Sequence, residues 1–247
     1  MKKINIAFIA AIIGIVSFTS CEKELFGCIS GKGEKETRIV SFEKIEGFDV
    51  DGSNNVIIME GDEQLIEITS YPNIIDRWIE DSSVEDGILR AGIRRCVTGF
   101  KKNDIEIRAT ISSLKLVAIS GSGDVETVGT FENVDDLEID ISGSGEMDLD
   151  LGDNMDFIDI KVSGSGNIKI SGANNETEIR VSGSGKIRNF DLVSQSCSVR
   201  VSGSGDAEVN VVNDLEVKIT GSGDVCYKGQ PIVNSNITGS GNIKNCN

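Results

Sequence analysis

Residues 201–206 read "VSGSGD", residues 181–186 read "VSGSGK" and residues 162–167 read "VSGSGN". The tetrapeptide Ser-Gly-Ser-Gly, or Thr-Gly-Ser-Gly, occurs seven times after residue 118. It opens at Ser120, Ser142, Ser163, Ser182, Ser202, Thr220 and Thr238, with spacings of 22, 21, 19, 20, 18 and 18. A period near twenty with small variation marks stacked supersecondary units. Each copy is preceded by alternation ("LEIDIS", "TEIRVS", "LEVKIT") and followed by a second short alternating run ("DVETV", "EMDLDL", "DAEVNV"). The unit is therefore strand, glycine corner, strand, loop.

Alignment on the motif produces columns. One reads Ile119, Ile141, Val162, Val181, Val201, Ile219, Ile237. Another, two residues past the second glycine, reads Val125, Met147, Ile168, Ile187, Ala207, Val225, Ile243. Between the apolar columns stand charged ones, such as Asp140, Lys161, Arg180, Arg200, Lys218. Parallel strands of successive turns lie about 4.8 Å apart, so apolar columns become internal ladders and charged columns an outer face. This predicts an all-β fold, a parallel β-helix with rungs of about 20 residues. A β-sandwich would pair antiparallel hairpins and would not keep like residues in register.

The corner glycines are Gly121, Gly123, Gly143, Gly145, Gly164, Gly166, Gly183, Gly185, Gly203, Gly205, Gly221, Gly223, Gly239 and Gly241, half of the 28 in the chain. They are read as structural corners: inward positions at a sharp turn leave no room for side chains, and glycine permits positive φ. The serines between them, from Ser122 to Ser240, are expected to form an outward hydroxyl ladder. A catalytic role would explain one copy and leave six unexplained.

Residues 1–20 read as a signal segment: Lys2 and Lys3, an apolar run from Ile6 to Phe18, and small residues before Cys21. The "SFTSC" ending resembles a bacterial lipobox, which implies cleavage before Cys21 and its lipidation. The expected organisation is a signal peptide (1–20), an N-terminal tether (21–37) and a β-helix domain (38–247). Within that domain, 38–118 are degenerate turns and 119–247 the regular repeats. "FDVDGSNNVIIMEG" looks like an eroded first copy, and "YPNIIDRWIEDS" has the spacing of a short capping helix.

Of 247 residues, 24 are basic and 40 acidic; loss of residues 1–20 removes two lysines and leaves 22 against 40, or −18. Such a surface repels nucleic acid and anionic membrane faces, so the lipid on Cys21 would be the membrane contact. With no histidine, Ser-His-Asp and Cys-His catalysis and His-ligated metal sites are excluded. "GSGD" invites comparison with calcium repeats. The residue after the second glycine, however, runs Asp124, Glu146, Asn167, Lys186, Asp206, Asp224, Asn242, and the lysine is unfavourable for a cation ladder. Glu126, Asp148 and Glu208 share a column with Lys169 and Arg188, read as a solvated face with cross-strand ion pairs. No catalytic residue, cofactor or metal is assigned.

Cys28 and Cys96 lie in the irregular part, and a disulfide between them would tie the cap to the first turns. Cys197 falls in the ladder Leu137, Ile158, Thr177, Cys197, Leu215, Val233 and reads as a buried small residue. Cys226 and Cys246 are 20 residues apart where the local step is 18, so a bond would require the C-terminal tail to bend.

With the motif column, the lipobox, "FDVDGSNNVIIMEG" and "YKGQP" before the last repeat, the chain resembles the Bacteroidota lipoproteins described as autotransporter adhesin, head GIN domain, over about residues 38–244. The resemblance implies a right-handed β-helix in the cell envelope; the expected location is the outer membrane, as a lipoprotein on its periplasmic or its surface face. The expected role is non-enzymatic presentation of a rigid surface to a glycan or protein ligand. A self-associating scaffold and a polysaccharide-active enzyme are the alternatives.

Overall fold

The computed structural model describes residues 28–94, 97–99 and 104–247. In chain order the N-terminal part comprises β1 (Glu36–Val40), β2 (Gly47–Gly52), β3 (Asn55–Glu60), β4 (Leu65–Ser70), α1 (Pro72–Asp81), β5 (Ser83–Glu85), β6 (Ile88–Ala91) and β7 (Glu106–Ile111). The regular part begins with β8 (Leu116–Gly121), β9 (Asp124–Thr127), β10 (Asp136–Gly143), β11 (Glu146–Asp150) and β12 (Met155–Gly164). It continues with β13 (Asn167–Gly183), β14 (Lys186–Gly203), β15 (Asp206–Gly221), β16 (Val225–Gly229), β17 (Ile232–Gly239) and β18 (Ile243–Asn245).

These strands form a parallel β-solenoid. The face before the corner stacks β2, β8, β10, β12 and the later halves of β13, β14 and β15, ending on β17. The face after the corner stacks β3, β9, β11, the earlier halves of β13, β14 and β15, then β16 and β18. Motif residues pair with their counterparts in every turn, for example Ser182 with Ser202 and Gly183 with Gly203. Ile141, Val162, Val181, Val201 and Ile219 are buried one above another, as are Met147, Ile168, Ile187, Ala207 and Val225. Each valine, isoleucine or methionine among them contributes roughly 1.5–3 kcal/mol through removal from water.

The two glycines of a corner are required for different reasons. The first has φ between +121° and +136° in all seven copies. Its own carbonyl accepts the second serine's amide hydrogen in the next turn, as Gly183 does from Ser204 at 2.8 Å. A Cβ on Gly203 would lie 2.5 Å from that same Gly183 oxygen. The second glycine has no such φ but faces the core: a Cβ on Gly205 would lie 2.5 Å from Val181 Cγ1 and 2.7 Å from the Gly185 oxygen. The expectation that both glycines point inward thus holds for the second only; the first is half-exposed. The serines between them are exposed, as the ladder reading requires.

The N-terminal third departs from simple consecutive turns. β2 and β3 are not the first layer. The chain leaves them at Glu60, builds β4 to β7, and lays β6 and β7 parallel beneath β2 and β3 before β8 and β9 return above. β4 then pairs antiparallel with β7, and β1 with β4. The helix α1 begins at Pro72, buries Ile74, Ile75 and Trp78, and sets Trp78 edge-on to Phe42 at 6.1 Å between ring centres. Pro72 suits the first helical turn, where its missing N–H has no intrahelical partner. β1 starts at Glu36, and residues on the tether side of 38 are also fastened to the domain. Lys32 donates its amide to Asn73, Asn73 donates to the Ser30 carbonyl, and Lys35 pairs with Asp104.

Cys21 and the signal segment lie outside the described residues, as does Cys96; Cys28 is disulfide-bonded. Cys197 is a buried thiol, and burial pushes its pKa up to about 12. Cys226 and Cys246 are bonded, with Cα atoms 5.9 Å apart. The two-position offset exists, since Cys226 pairs with Lys244. The tail closes it by turning after β18, where the Cys246 amide donates to the Tyr227 carbonyl at 2.8 Å.

Candidate ligand-binding groove

The outer surface before the corner carries a self-paired lattice of charge. Lys161 bonds Glu138 at 2.6 Å and Asp159 at 2.9 Å; Arg180 bonds Asp159 at 2.7 Å and Glu178 at 2.6 Å; Arg200 reaches Glu178 at 3.0 Å. Acidic and basic columns are adjacent because side chains of one face recur every second residue, so Lys161 and Arg180 each sit between carboxylates of their own and the preceding turn, while Arg200, with Ser198 in its own turn, reaches only the preceding one. Glu138 and Asp159 lie at the start of this lattice and also border a groove.

That groove, about 460 Å³, lies where β10 and β12 begin. Its floor is Leu114 and Leu137, both buried, and one wall is the half-buried ring of Phe157. Phe157 occupies an outward column that reads Asp136, Phe157, Glu176, Ser196, Asp214, Ile232, and it is the single aromatic there. Asp135, Asp136, Glu138, Asp159, Asn133 and Lys115 line the same groove. Most of these polar groups are already held. The Asp135 carbonyl accepts the Asp156 amide hydrogen at 2.8 Å, Asn133 donates to the Ser112 carbonyl at 2.5 Å, and Lys115 pairs with Glu46 at 2.6 Å. Volume, apolar floor, one aromatic wall and fixed polar rims match a small-ligand site.

A second groove, about 410 Å³, crosses the face after the corner. Glu126, Asp148, Lys169 and Arg188 stack there in one column, as the sequence reading proposes, and Lys169 pairs with Asp148 at 3.2 Å. Among the described residues Arg188 makes no ion pair, and no aromatic residue lines this groove. Glu208 continues the column beside Arg188.

Two carboxylates have raised pKa values, and neither lines either groove. Burial raises Asp140, opposed by Lys161; burial raises Asp49 too, helped by Asp51 and opposed by Arg90. They stand two turns apart on the same outward column, with the short side chain of Ala118 on the intervening turn between them. No column of the repeat marks Phe157 as part of a site, because the other residues lining its groove, at 113–115 and 133–136, lie in the least regular turns. The motif aspartates also have a local use. Asp206 accepts the Asp224 amide hydrogen at 3.2 Å, and Asp224 accepts that of Asn242 at 2.8 Å. Among the described residues no three or more Cys, Asp or Glu side chains converge as metal ligands.

Residues 41–231 match the family described as "Putative auto-transporter adhesin, head GIN domain". The chain belongs to this head GIN domain family. Among solved structures, the fold is similar to that of a "putative adhesin" from Bacteroides fragilis NCTC 9343, with a TM-score of 0.79 and 23% identity, covering 88% of this chain and 100% of that one. It is also similar to a "putative lipid binding protein" from Parabacteroides distasonis ATCC 8503, with a TM-score of 0.69, 26% identity and coverage of 87% and 98%. A "putative adhesin" from Parabacteroides merdae ATCC 43184 gives a TM-score of 0.63 at 22% identity, with coverage of 87% and 98%. No curated protein matches the chain. The head GIN domain here is a β-solenoid whose outer face before the corner carries a lattice of paired charges.

Proposed function

We propose that this head GIN domain protein is a lipid-anchored, non-catalytic protein of the cell envelope whose solenoid binds a glycan. The observation that carries the reading is the groove at Phe157. A ring face for the apolar side of a sugar stands among carboxylate and amide groups that can accept and donate to hydroxyls. Lys115, Asn133, Glu138 and Asp159 are held by their own hydrogen bonds and ion pairs before any ligand arrives, which limits the ordering cost of binding. The adhesin-type family supports a surface or envelope role. The lipobox-like segment supports anchorage through Cys21.

A glycan array probed with soluble residues 22–247, with and without calcium and at two salt concentrations, tests the binding. Saturable binding that survives high salt and is lost in Phe157→Ala supports the reading. Binding that is unchanged in Phe157→Ala, or absent on every glycan, overturns it. Anchorage is tested separately by metabolic labelling with a fatty acid. Incorporation is expected in the native chain and not in Cys21→Ser.

A further inference from the structure

The two ends of the solenoid are finished differently. At the N-terminal end the antiparallel strands β4 and β1 and the helix α1 close over the last parallel layer. At the C-terminal end β17 pairs with β15 on one side, and among the described residues no strand pairs with its other edge. The consequence shows in exposure. Leu215 and Ile219 on β15 are 1% and 0% exposed, whereas their ladder mates Val233 and Ile237 on β17 are 37% and 40% exposed. The tail does not cross this opening. It is held to β16 by the Cys226–Cys246 bond, and Asn247 donates to the Gly229 carbonyl at 2.7 Å and accepts its amide hydrogen at 2.9 Å.

Open β-edges are ordinarily blunted with charge. Here the charge disappears at the edge. The outward columns that carry Glu216 and Lys218 on β15 end in Asn234 and Asn236 on β17. From Gly229 to Asn247 the single charged side chain is Lys244, in a chain whose net charge is −16. A second copy would meet like charge over most of this molecule, but not at β17.

We propose that β17 is a self-association edge, and that two copies join there end to end about a two-fold axis through Ser235. Antiparallel pairing in that register sets Val233 opposite Ile237 of the other copy on the core side, and Asn234 opposite Asn236 on the outer side. The strand is therefore complementary to itself. Both apolar ladders become continuous across the junction, and the unpaired backbone groups of both edges gain partners. The capped N-terminal ends face outward, so the assembly closes as a dimer and does not grow into a filament.

Sedimentation of soluble residues 22–247 across the micromolar range is the test, compared with Asn234→Lys/Asn236→Lys. Both substitutions are on exposed outward positions, and thermal unfolding of the dilute variant checks that the fold is kept. The expected result is a concentration-dependent dimer for the native chain and a monomer throughout for the variant, whose lysines would face one another. Oxidative cross-linking gives an independent reading. Ser235→Cys places two thiols on the axis, at an antiparallel spacing of about 4.5–5.5 Å between Cα atoms, within disulfide range. It is expected to form covalent dimers much faster than Ser204→Cys at an exposed corner. A native chain that stays monomeric, a dimer that persists in the lysine variant, or equal cross-linking of the two cysteine variants overturns the proposal.

Discussion

Asp224 accepts the backbone amide hydrogen of Asn242 at 2.8 Å, one full turn further along the solenoid. The Asp224 amide donates likewise to Asp206, but in earlier turns the equivalent amides donate to a glycine carbonyl instead, Lys186 to Gly166 at 3.0 Å and Asp206 to Gly185 at 3.1 Å. A carboxylate has taken over the work of a backbone acceptor at the last corners. Asp224→Ala is expected to lower stability by about 1 kcal/mol, the worth of one such bond, while Asp224→Asn keeps an acceptor oxygen and loses less. Denaturant unfolding of the three proteins measures the order. Equal stability of the alanine and asparagine variants would argue against the side-chain bond.

Alanine at the corners separates the two glycine roles. Gly203→Ala combines a disallowed φ of +122° with a 2.5 Å approach to the Gly183 oxygen, and Gly205→Ala drives a methyl into Val181. Each is expected to cost about 2–4 kcal/mol by strain and overpacking. Ser204→Ala, exposed between them, is expected to change stability by less than about 0.5 kcal/mol. Thermal midpoints of the three variants give the comparison.

The charged groups predict two opposite pH effects. Asp140 has its pKa raised by burial, so its ionised form opposes folding at neutral pH, and that opposition fades as pH falls through its folded value. Asp140→Asn is therefore expected to unfold at a higher temperature than the native chain at pH 7, with the gap closing in acid. Glu46 behaves in the other sense. Hydrogen bonds from Lys115 and Lys44 hold its pKa down at about 2. Its contribution is present above the ordinary carboxylate value of about 4.3 and is lost as pH drops through about 2. Glu46→Gln is expected to be less stable than the native chain at pH 7 and equal to it at pH 2. Unfolding midpoints across that range show both signs.

Cys197 is enclosed in the core, and its thiolate is disfavoured by burial. Alkylating reagents at neutral pH are expected to leave it untouched in the folded protein and to label it at the rate of unfolding in denaturant. Rapid labelling of the native chain, read by mass spectrometry of the peptide, would contradict the ladder position.

The regular turns were legible from residue 119 onward because the period puts like residues in register, and stacking like on like is what a parallel solenoid rewards. The corner and the ladders follow from that, and the cap helix from its own helical spacing of apolar residues. The layer order at the N-terminus did not follow. "IEIRATI" reads as a strand, but nothing in its pattern says that it lies beneath β3 while β9 lies above. The Phe157 groove was hidden for a related reason: its rim comes from loop residues that no column aligns. The tail disulfide required a bend that strand periodicity does not encode.

The irregular spacing of the motif is absorbed away from the corner. Pairing between β13 and β14 shifts between Lys169 and Gly172, and pairing between β14 and β15 shifts between Asn189 and Val193 and again between Ser194 and Ser196. All three shifts fall on the side opposite the Ser-Gly-Ser-Gly corner, and the register is restored before the next motif begins. The molecule therefore has one side that sets its dimensions and another that tolerates change in length. Foreign peptides inserted near Gln195 should be carried at a fixed height on the solenoid without disturbing the turns above or below, so this side is where lineages can diversify, and where a designer can graft, while the architecture stays constant.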